Sequence, residues 1–306
     1  MQADRLKHLV LSGGGLHGLI CFLTALVDLE RQGYLPNIET LRGTSAGALA
    51  CILFALPMPT EVILEMAMSA EMRSDMNFSF PSLWHSFGLS DGEFIRSFLN
   101  RTFQLANIQT NVTFKDFSET CKDIMLVATD LQTSEMIVFS KKATPNAVMI
   151  DAAIASCALP PMIAPQKVWD GVSLRMCVDG GIVCNFPISL APELLKEETV
   201  GIYIQDALSS GIDISNIATY SNRILQLLTN SLFRFQKMTW ENQAYEVITI
   251  YRSLTTQYPW EYSQELCNHA QFITLETIEK FKEATAIVPY KSCKNTIGTQ
   301  TEFADD

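Results

Sequence analysis

The sequence predicts an α/β fold with a mostly parallel central sheet. Residues 6–11 and 38–41 are short apolar stretches, and each precedes a glycine-rich turn and an apolar stretch with helical periodicity. Strand–turn–helix units of this kind usually pack as parallel strands covered by helices. Two later apolar stretches, residues 174–178 and 199–204, extend the predicted sheet.

Turn and capping signals place the remaining elements. Gly33 predicts the end of the first helix, and Ser90 with Glu93 has the spacing of a capping box that starts a helix running to about Phe103. Later in the chain the pattern predicts paired strands at 124–129 and 135–139, a helix at 146–158, and mostly helix after residue 205. We therefore predict a catalytic domain at 6–205 and a mainly helical C-terminal region at 206–306.

Composition narrows the class of protein. With 306 residues, 48% of them hydrophobic and 18% charged, the chain can bury a large core. Its net charge of -11 argues against a nucleic-acid partner, because contact with phosphates needs a basic face. Its eight cysteines include no C-x-x-C pair and no cluster of metal-ligating residues is visible, so we expect no metal and no cofactor. Most of the cysteines lie in apolar stretches, which fits a reducing, cytoplasmic location, with possible peripheral membrane contact.

The segment Gly43-Thr44-Ser45-Ala46-Gly47 fits the pattern G-x-S-x-G between a predicted strand and a predicted helix. A serine at such a sharp turn is exposed to substrate, and small neighbours let the chain bend and the substrate approach. The helix that follows directs its N-terminus at the reacting centre, where negative charge develops. We predict Ser45 as a nucleophile, supported by Gly43 and Gly47.

The glycine run Gly13-Gly14-Gly15 offers consecutive backbone N–H groups without side chains. These groups suit an oxyanion hole, which needs donors already in place near a developing negative charge. Together with Gly18 the run also matches G-x-G-x-x-G, so a cradle for the phosphates of a dinucleotide is an alternative. Glu39 lies near the distance at which such a site has an acidic residue that binds the ribose. A simple tight turn is the third interpretation.

Asp179, followed by Gly180 and Gly181, ends a predicted strand and can reach a serine on a neighbouring strand end. Asp170-Gly171 is a competing Asp-Gly pair, but the strand before Asp179 is clearer. Of the four histidines, only His269 follows Asp179, in the Ser–Asp–His order of α/β-hydrolases. A catalytic triad therefore remains an alternative to a Ser–Asp pair.

These motifs together resemble the patatin-like phospholipase family over roughly residues 6–200. The similarity includes three further segments, which are Ala128-Thr129-Asp130-Leu131, Ala155-Ser156-Cys157-Ala158-Leu159-Pro160-Pro161 and Asn185-Phe186-Pro187. The resemblance implies a three-layer α/β sandwich, a Ser45–Asp179 dyad without histidine, an oxyanion hole at Gly13–Gly15, and hydrolysis of fatty acyl esters in membrane or micellar lipid. The chain departs from the family at His17, where Arg or Lys is usual.

Three other functions remain open at this point. The first is a soluble esterase or thioesterase with the same dyad, the second a catalytically silent lipid-binding module, and the third a dinucleotide-binding protein. If the charge of His17 assists the oxyanion, activity should fall as pH rises through the titration of that histidine.

Two stretches are candidates for a peripheral membrane contact. Residues 76–89 include Trp84 and several other large apolar side chains but no formal charge, which fits a lid loop inserting at the headgroup level. Residues 214–240 carry three basic and no acidic residues beside an apolar stripe at near-helical spacing. That stripe fits an interfacial helix, although we favour packing against the core for it.

Overall fold

A computed structural model describes residues 5–69, 79–120, 122–190, 196–206, 217–240 and 246–252. The strands of the described residues form one sheet. They are β1 (His8–Leu11), β2 (Thr40–Thr44), β3 (Asp123–Asp130), β4 (Glu135–Ser140), β5 (Gln166–Trp169), β6 (Leu174–Asp179), β7 (Thr199–Asp206) and β8 (Glu246–Arg252).

The α-helices flank and connect these strands. They are α1 (Gly15–Arg31), α2 (Ala46–Ala55), α3 (Thr60–Met68), α4 (Phe80–Ser86), α5 (Glu93–Leu105), α6 (Phe114–Thr120), α7 (Met149–Ser156), α8 (Gly181–Cys184) and α9 (Ile217–Trp240). None of the helices in these ranges combines the length and the hydropathy that a bilayer-crossing segment needs.

The sheet confirms the predicted α/β architecture. Its strand order is β5-β6-β3-β2-β1-β7-β8, and β4 pairs with β3 outside this path. The neighbouring strands β3, β2, β1, β7 and β8 are parallel to one another. The pairs β3–β4, β3–β6 and β5–β6 are antiparallel. The sheet continues past residue 205, because β8 pairs with β7 from within the region predicted to be mainly helical.

Both faces of the sheet are covered, as the alternation along β1 shows. Leu9 and Leu11 are buried in the main core, which also contains the apolar residues of α1 and α2. Val10 belongs to a second cluster with Phe186, Ile188 and Tyr203. Because successive strand residues point to opposite faces, the two clusters lie on opposite sides of β1.

Two strands share one edge of β3. β4 pairs with residues 125–130 and so occupies the first edge along that length. The second edge is divided, because β2 pairs with residues 123–127 and β6 with residues 128–130. Since β2 is parallel to β3 and β6 is antiparallel to it, these two strands approach each other from opposite ends.

The register at this shared edge determines where the site lies. The last residue of β2, Thr44, is opposite Val127, and the last residue of β6, Asp179, is opposite the next residue, Ala128. Ser45, which directly follows β2, therefore comes next to Asp179 although 134 positions separate the two in the chain.

Three local predictions were wrong. The helix predicted to start at Ser90 begins at Glu93 with Gly92 as its N-cap, because Ser90 Oγ accepts the Gly92 N–H instead of an N–H in the first helical turn. The stretch predicted as a loop at 76–89 contains α4 within its described part, 79–89. Residues 214–216 lie outside the described residues, but the apolar stripe of α9 faces solvent rather than the core.

Candidate active site

Ser45 occupies a strained turn between β2 and α2. Its backbone has φ 54° and ψ -123°, outside the regions that a non-glycine residue ordinarily adopts. The turn is tight because a side chain on Gly43 would meet the Gly47 carbonyl, and one on Gly47 would meet the Ser12 carbonyl. These contacts explain why the predicted elbow has glycine at both flanking positions.

Asp179 accepts a hydrogen bond from Ser45. The distance from Ser45 Oγ to Asp179 Oδ2 is 2.6 Å, and the Gly181 N–H donates to Asp179 Oδ1 at 2.7 Å. Only 4% of Asp179 is exposed. This burial raises the pKa of Asp179 to about 6, although the hydrogen bonds from Ser45 and Gly181 oppose the rise.

Ser156 anchors the backbone of Ser45. The Ser45 N–H donates to Ser156 Oγ at 2.9 Å, and that hydroxyl donates to the Val127 carbonyl oxygen at 2.6 Å. Ser156 is fully buried at the end of α7. It therefore ties the strained turn to β3, a role that sequence reasoning did not assign although Ser156 lies in one of the motifs.

Cys157 places a thiol beside Ser45 and Asp179, and sequence reasoning did not predict this position for it. Burial raises the pKa of Cys157 well above its usual value. The side chains of Ser45 and Asp179 also act on the pKa of this thiol, Asp179 by raising it further and Ser45 by lowering it. The thiol is therefore protonated at neutral pH, unlike the thiolate that a nucleophilic cysteine requires.

The glycine loop lies against Ser45 through Gly13. A Cβ on Gly13 would be 3.5 Å from Ser45 Cβ and would collide with the Asn185 side-chain oxygen. The Gly13 N–H donates to the Asn185 carbonyl oxygen at 2.8 Å. Of the glycines predicted to form the oxyanion hole, Gly13 thus has its N–H bound to Asn185, whereas Gly15 begins α1.

The other predicted supporting glycines are close to the same centre. The Gly18 N–H donates to the Gly14 carbonyl oxygen at 3.1 Å within α1. A Cβ on Gly180 would collide with the Val127 carbonyl, and one on Gly181 would come within 3.1 Å of the Asn185 side-chain oxygen. The structure thus brings all the predicted site residues to one end of the shared strand edge.

Helix α9 completes one wall of the site. Gln236 Oε1 accepts the Asn185 N–H at 2.6 Å. A Cβ on Gly181 would lie 3.6 Å from the Phe233 ring. The sequence offers no signal for either contact, because both depend on how a distant helix packs.

Two histidines were also candidates for a role at the site. His269, the histidine of the alternative triad, is outside the described residues, and the hydrogen bonds that act on the pKa of Asp179 come from Ser45 and Gly181. His17 is buried in the first turn of α1, and its proposed effect on pH dependence stays a prediction.

The side chain of Asp170 stabilises the β5–β6 turn through hydrogen bonds. It accepts hydrogen bonds from the Val172 and Ser173 N–H groups and from Arg175. Burial alone would raise its pKa, but hydrogen bonds led by that from Arg175 outweigh burial and lower the pKa of Asp170 to about 2.

Comparison with known proteins identifies the family. A family model described as patatin-like phospholipase matches residues 9–192, which is more than half of the chain. The chain therefore belongs to the patatin-like phospholipase family. It is 28% identical over 206 residues to the uncharacterized protein R571 of Acanthamoeba polyphaga mimivirus, an alignment that covers 66% of each chain.

The chain is also similar to a bacterial protein and to a solved structure. The chain is 27% identical over 209 residues to the uncharacterized protein YqhO of Bacillus subtilis (strain 168), covering 63% of this chain and 69% of that protein. Its fold resembles the crystal structure of VipD from Legionella pneumophila, with a TM-score of 0.57 and 16% identity over 91% of this chain and 67% of VipD. The likeness to VipD concerns the fold alone.

Substitution of Asp179 and of Asp170 should affect stability in opposite directions. The folded pKa of Asp179 is above the ordinary 3.8, so its buried charge destabilises the native state at pH 8. Asp179→Asn should therefore be more stable than wild type at pH 8, by up to about 3 kcal/mol, and the gain should vanish as pH falls through 6 toward 4.

The matched variant Asp170→Asn should be less stable at pH 8, by about 2 kcal/mol, because the ionised carboxylate accepts four hydrogen bonds there. That deficit should shrink only as pH falls below 4, toward the lowered folded pKa. Urea unfolding of each variant across this pH range measures both effects, and equal shifts in the two variants would refute the assignment.

Ser156→Ala should slow active-site labelling at Ser45 by more than its loss of stability explains. The variant leaves the Ser45 N–H without its acceptor and loosens the strained turn, which we expect to reduce the rate of active-site labelling about tenfold or more. Thr102→Val is the matched control, since it removes a different buried hydroxyl, which donates to the Phe98 carbonyl oxygen within α5. If both variants lose stability alike but label at the wild-type rate, Ser156 does not position Ser45.

Proposed function

We propose that this protein hydrolyses fatty acyl esters of lipids, with Ser45 as nucleophile and Asp179 as its base. Family membership supports lipid ester hydrolysis as the class of reaction. The observation that carries the finer assignment is the 2.6 Å hydrogen bond from Ser45 Oγ to Asp179 Oδ2 at a strained turn. Strain and a buried, raised-pKa carboxylate in one place are typical of active sites.

The reaction proceeds in two halves. Asp179 takes the Ser45 proton as Ser45 Oγ forms a bond to the acyl carbonyl carbon, which produces a tetrahedral oxyanion. The intermediate collapses to an acyl-enzyme, and the departing alcohol receives the proton that Asp179 holds. Water then attacks the acyl-enzyme with Asp179 again as base, releasing the fatty acid and restoring Ser45.

The start of two helices supports an oxyanion hole beside Ser45. α1 begins at Gly15 and α2 at Ala46, immediately after Ser45. Helix N-termini present backbone N–H groups that lack intrahelical acceptors, together with a partial positive charge. We assign the Gly15 N–H group as a donor to the oxyanion and add the N–H of Ala46 as a second donor.

A lipid hydrolysis panel tests the reaction class and separates it from the alternatives. Wild type should release fatty acid from phospholipid vesicles, and Ser45→Ala should reduce the rate at least about a thousandfold with little change in unfolding temperature. Turnover of short water-soluble esters alone would favour the soluble esterase or thioesterase. Fluorophosphonate labelling without turnover of either substrate would also contradict lipid hydrolysis, and absence of labelling would favour the silent lipid-binding module.

Cys157→Ala is the matched control for the identity of the nucleophile. Because the thiol lies beside both Ser45 and Asp179, a cysteine nucleophile is the nearest competing assignment. The raised thiol pKa predicts that Cys157→Ala keeps most of its activity and its fluorophosphonate label. If Cys157→Ala loses both while Ser45→Ala keeps them, the nucleophile is the thiol.

The pH dependence of hydrolysis tests the base. Asp179 must be ionised to accept the Ser45 proton, so kcat/KM should rise with pH and level off above a pKa of about 6. Asp179→Asn should abolish turnover, and His269→Ala should leave both the rate and this acidic limb unchanged. Equal losses in Asp179→Asn and His269→Ala, with both variants folded, would instead support the triad.

A further inference from the structure

We infer that the outward face of α9 is a docking surface for a lipid bilayer. The inference depends on the proposed function only for its choice of lipid as the partner. It begins with the exposed side chains of α9, which are mostly large and apolar. They are Tyr220, Ile224, Leu227, Leu228, Leu232, Phe235 and Met238.

The spacing of these residues shows that they form one stripe. Most successive members are three or four positions apart, which keeps them on one side of an α-helix. Phe235 and Met238 are 70% and 72% exposed, so the stripe is not a partly covered core face. A contiguous exposed apolar surface of this kind marks a contact site in a soluble domain.

The opposite side of α9 holds the helix to the catalytic centre. Gln236 accepts the Asn185 N–H, Phe233 approaches Gly181, and Lys237 donates to Gln205 at 3.1 Å. The helix is therefore seated on the protein by one side while its apolar side faces outward. A bilayer that covers this stripe lies next to the wall of the site that contains Asn185 and Gly181.

Charge distinguishes a lipid surface from other partners. The chain has a net charge of -11, yet α9 contains Arg223, Arg234 and Lys237 and no acidic residue. Arg223 and Arg234 are eleven positions apart, about three helical turns, so they lie in line along one border of the stripe. An apolar face bordered by arginine is the pattern that lies in a bilayer interface and attracts anionic headgroups.

A second, smaller apolar group lies on α4 and its C-terminal turn. Trp84 is 84% exposed and Phe87 70%. The segment that follows is tied to the chain after Cys157 by the hydrogen bond from the Leu89 N–H to the Pro161 carbonyl oxygen, 2.9 Å. Because these two residues compete with α9 as the membrane contact, Trp84→Ala belongs in the experiment.

Vesicle flotation tests the inference without relying on catalysis. The full chain is compared in a Ser45→Ala background on vesicles of phosphatidylcholine alone and of equimolar phosphatidylcholine and phosphatidylserine. The double variant Leu228→Ser, Phe235→Ser should lower the partition coefficient about tenfold or more on both, because apolar insertion is lost. Arg234→Glu should weaken binding mainly on the anionic vesicles and at low salt.

The matched control removes two exposed apolar residues elsewhere. Val172 and Leu174 lie on the β5–β6 hairpin, at the opposite end of β6 from Asp179, and Val172→Ser, Leu174→Ser should bind like the parent. The same α9 and hairpin changes in the Ser45 protein should leave fluorophosphonate labelling unchanged, which shows that the fold and the dyad are intact. If the unmodified Ser45 protein itself fails to label, that result would count against the proposed function and not against docking.

Several results would overturn the inference. The inference fails if the parent protein does not float with either vesicle, or if the α9 double variant still floats with both. It also fails if binding is lost in Trp84→Ala but kept in the α9 double variant, because the contact would then lie on α4. It fails finally if light scattering shows a dimer that the α9 double variant dissociates without any change in flotation, because a second copy would then occupy the stripe.

Discussion

The site depends on one constraint, which is that β2 and β6 share a single edge of β3. Thr44 at the end of β2 pairs with Val127 and Asp179 at the end of β6 pairs with Ala128, so neither strand can extend further along this edge without displacing the other. Backbone hydrogen bonds thus fix a contact between residues 134 positions apart. Thr129 strengthens this arrangement, because its hydroxyl donates to the Asp179 carbonyl oxygen at 2.9 Å.

The strain at Ser45 and the buried charge of Asp179 are costs that the surrounding core must offset. Ser156 holds the turn from β3, and the buried β2–α2 segment leaves it no room to relax. Burial raises the pKa of Asp179 to about 6, so the carboxylate is a stronger base than an exposed aspartate yet still ionised at neutral pH. The same burial therefore lowers stability and would make Asp179 a better base in the proposed reaction.

Sequence reasoning located Ser45 and Asp179 because both lie where a strand ends in a glycine-containing turn, which is a local signal. It did not assign Ser156 or Asn185, whose contacts depend on register and packing between distant segments. It also misjudged the stripe of α9, because helical periodicity reveals that one side is apolar but not whether that side faces inward. The strand β8 was missed for a related reason, since its short alternating pattern at 246–252 is stabilised by pairing with β7.

The most direct test of the central claim is a crystal structure of the enzyme after reaction with a fluorophosphonate that carries an acyl-like chain. The account predicts a covalent bond from Ser45 Oγ to phosphorus, with the phosphoryl oxygen within hydrogen-bond distance of the N–H groups of Gly15 or Ala46. It also predicts that Asp179 remains beside the adduct with no histidine between them. Phosphorus bound to another side chain, or a histidine bridging Asp179 and Ser45, would contradict the account.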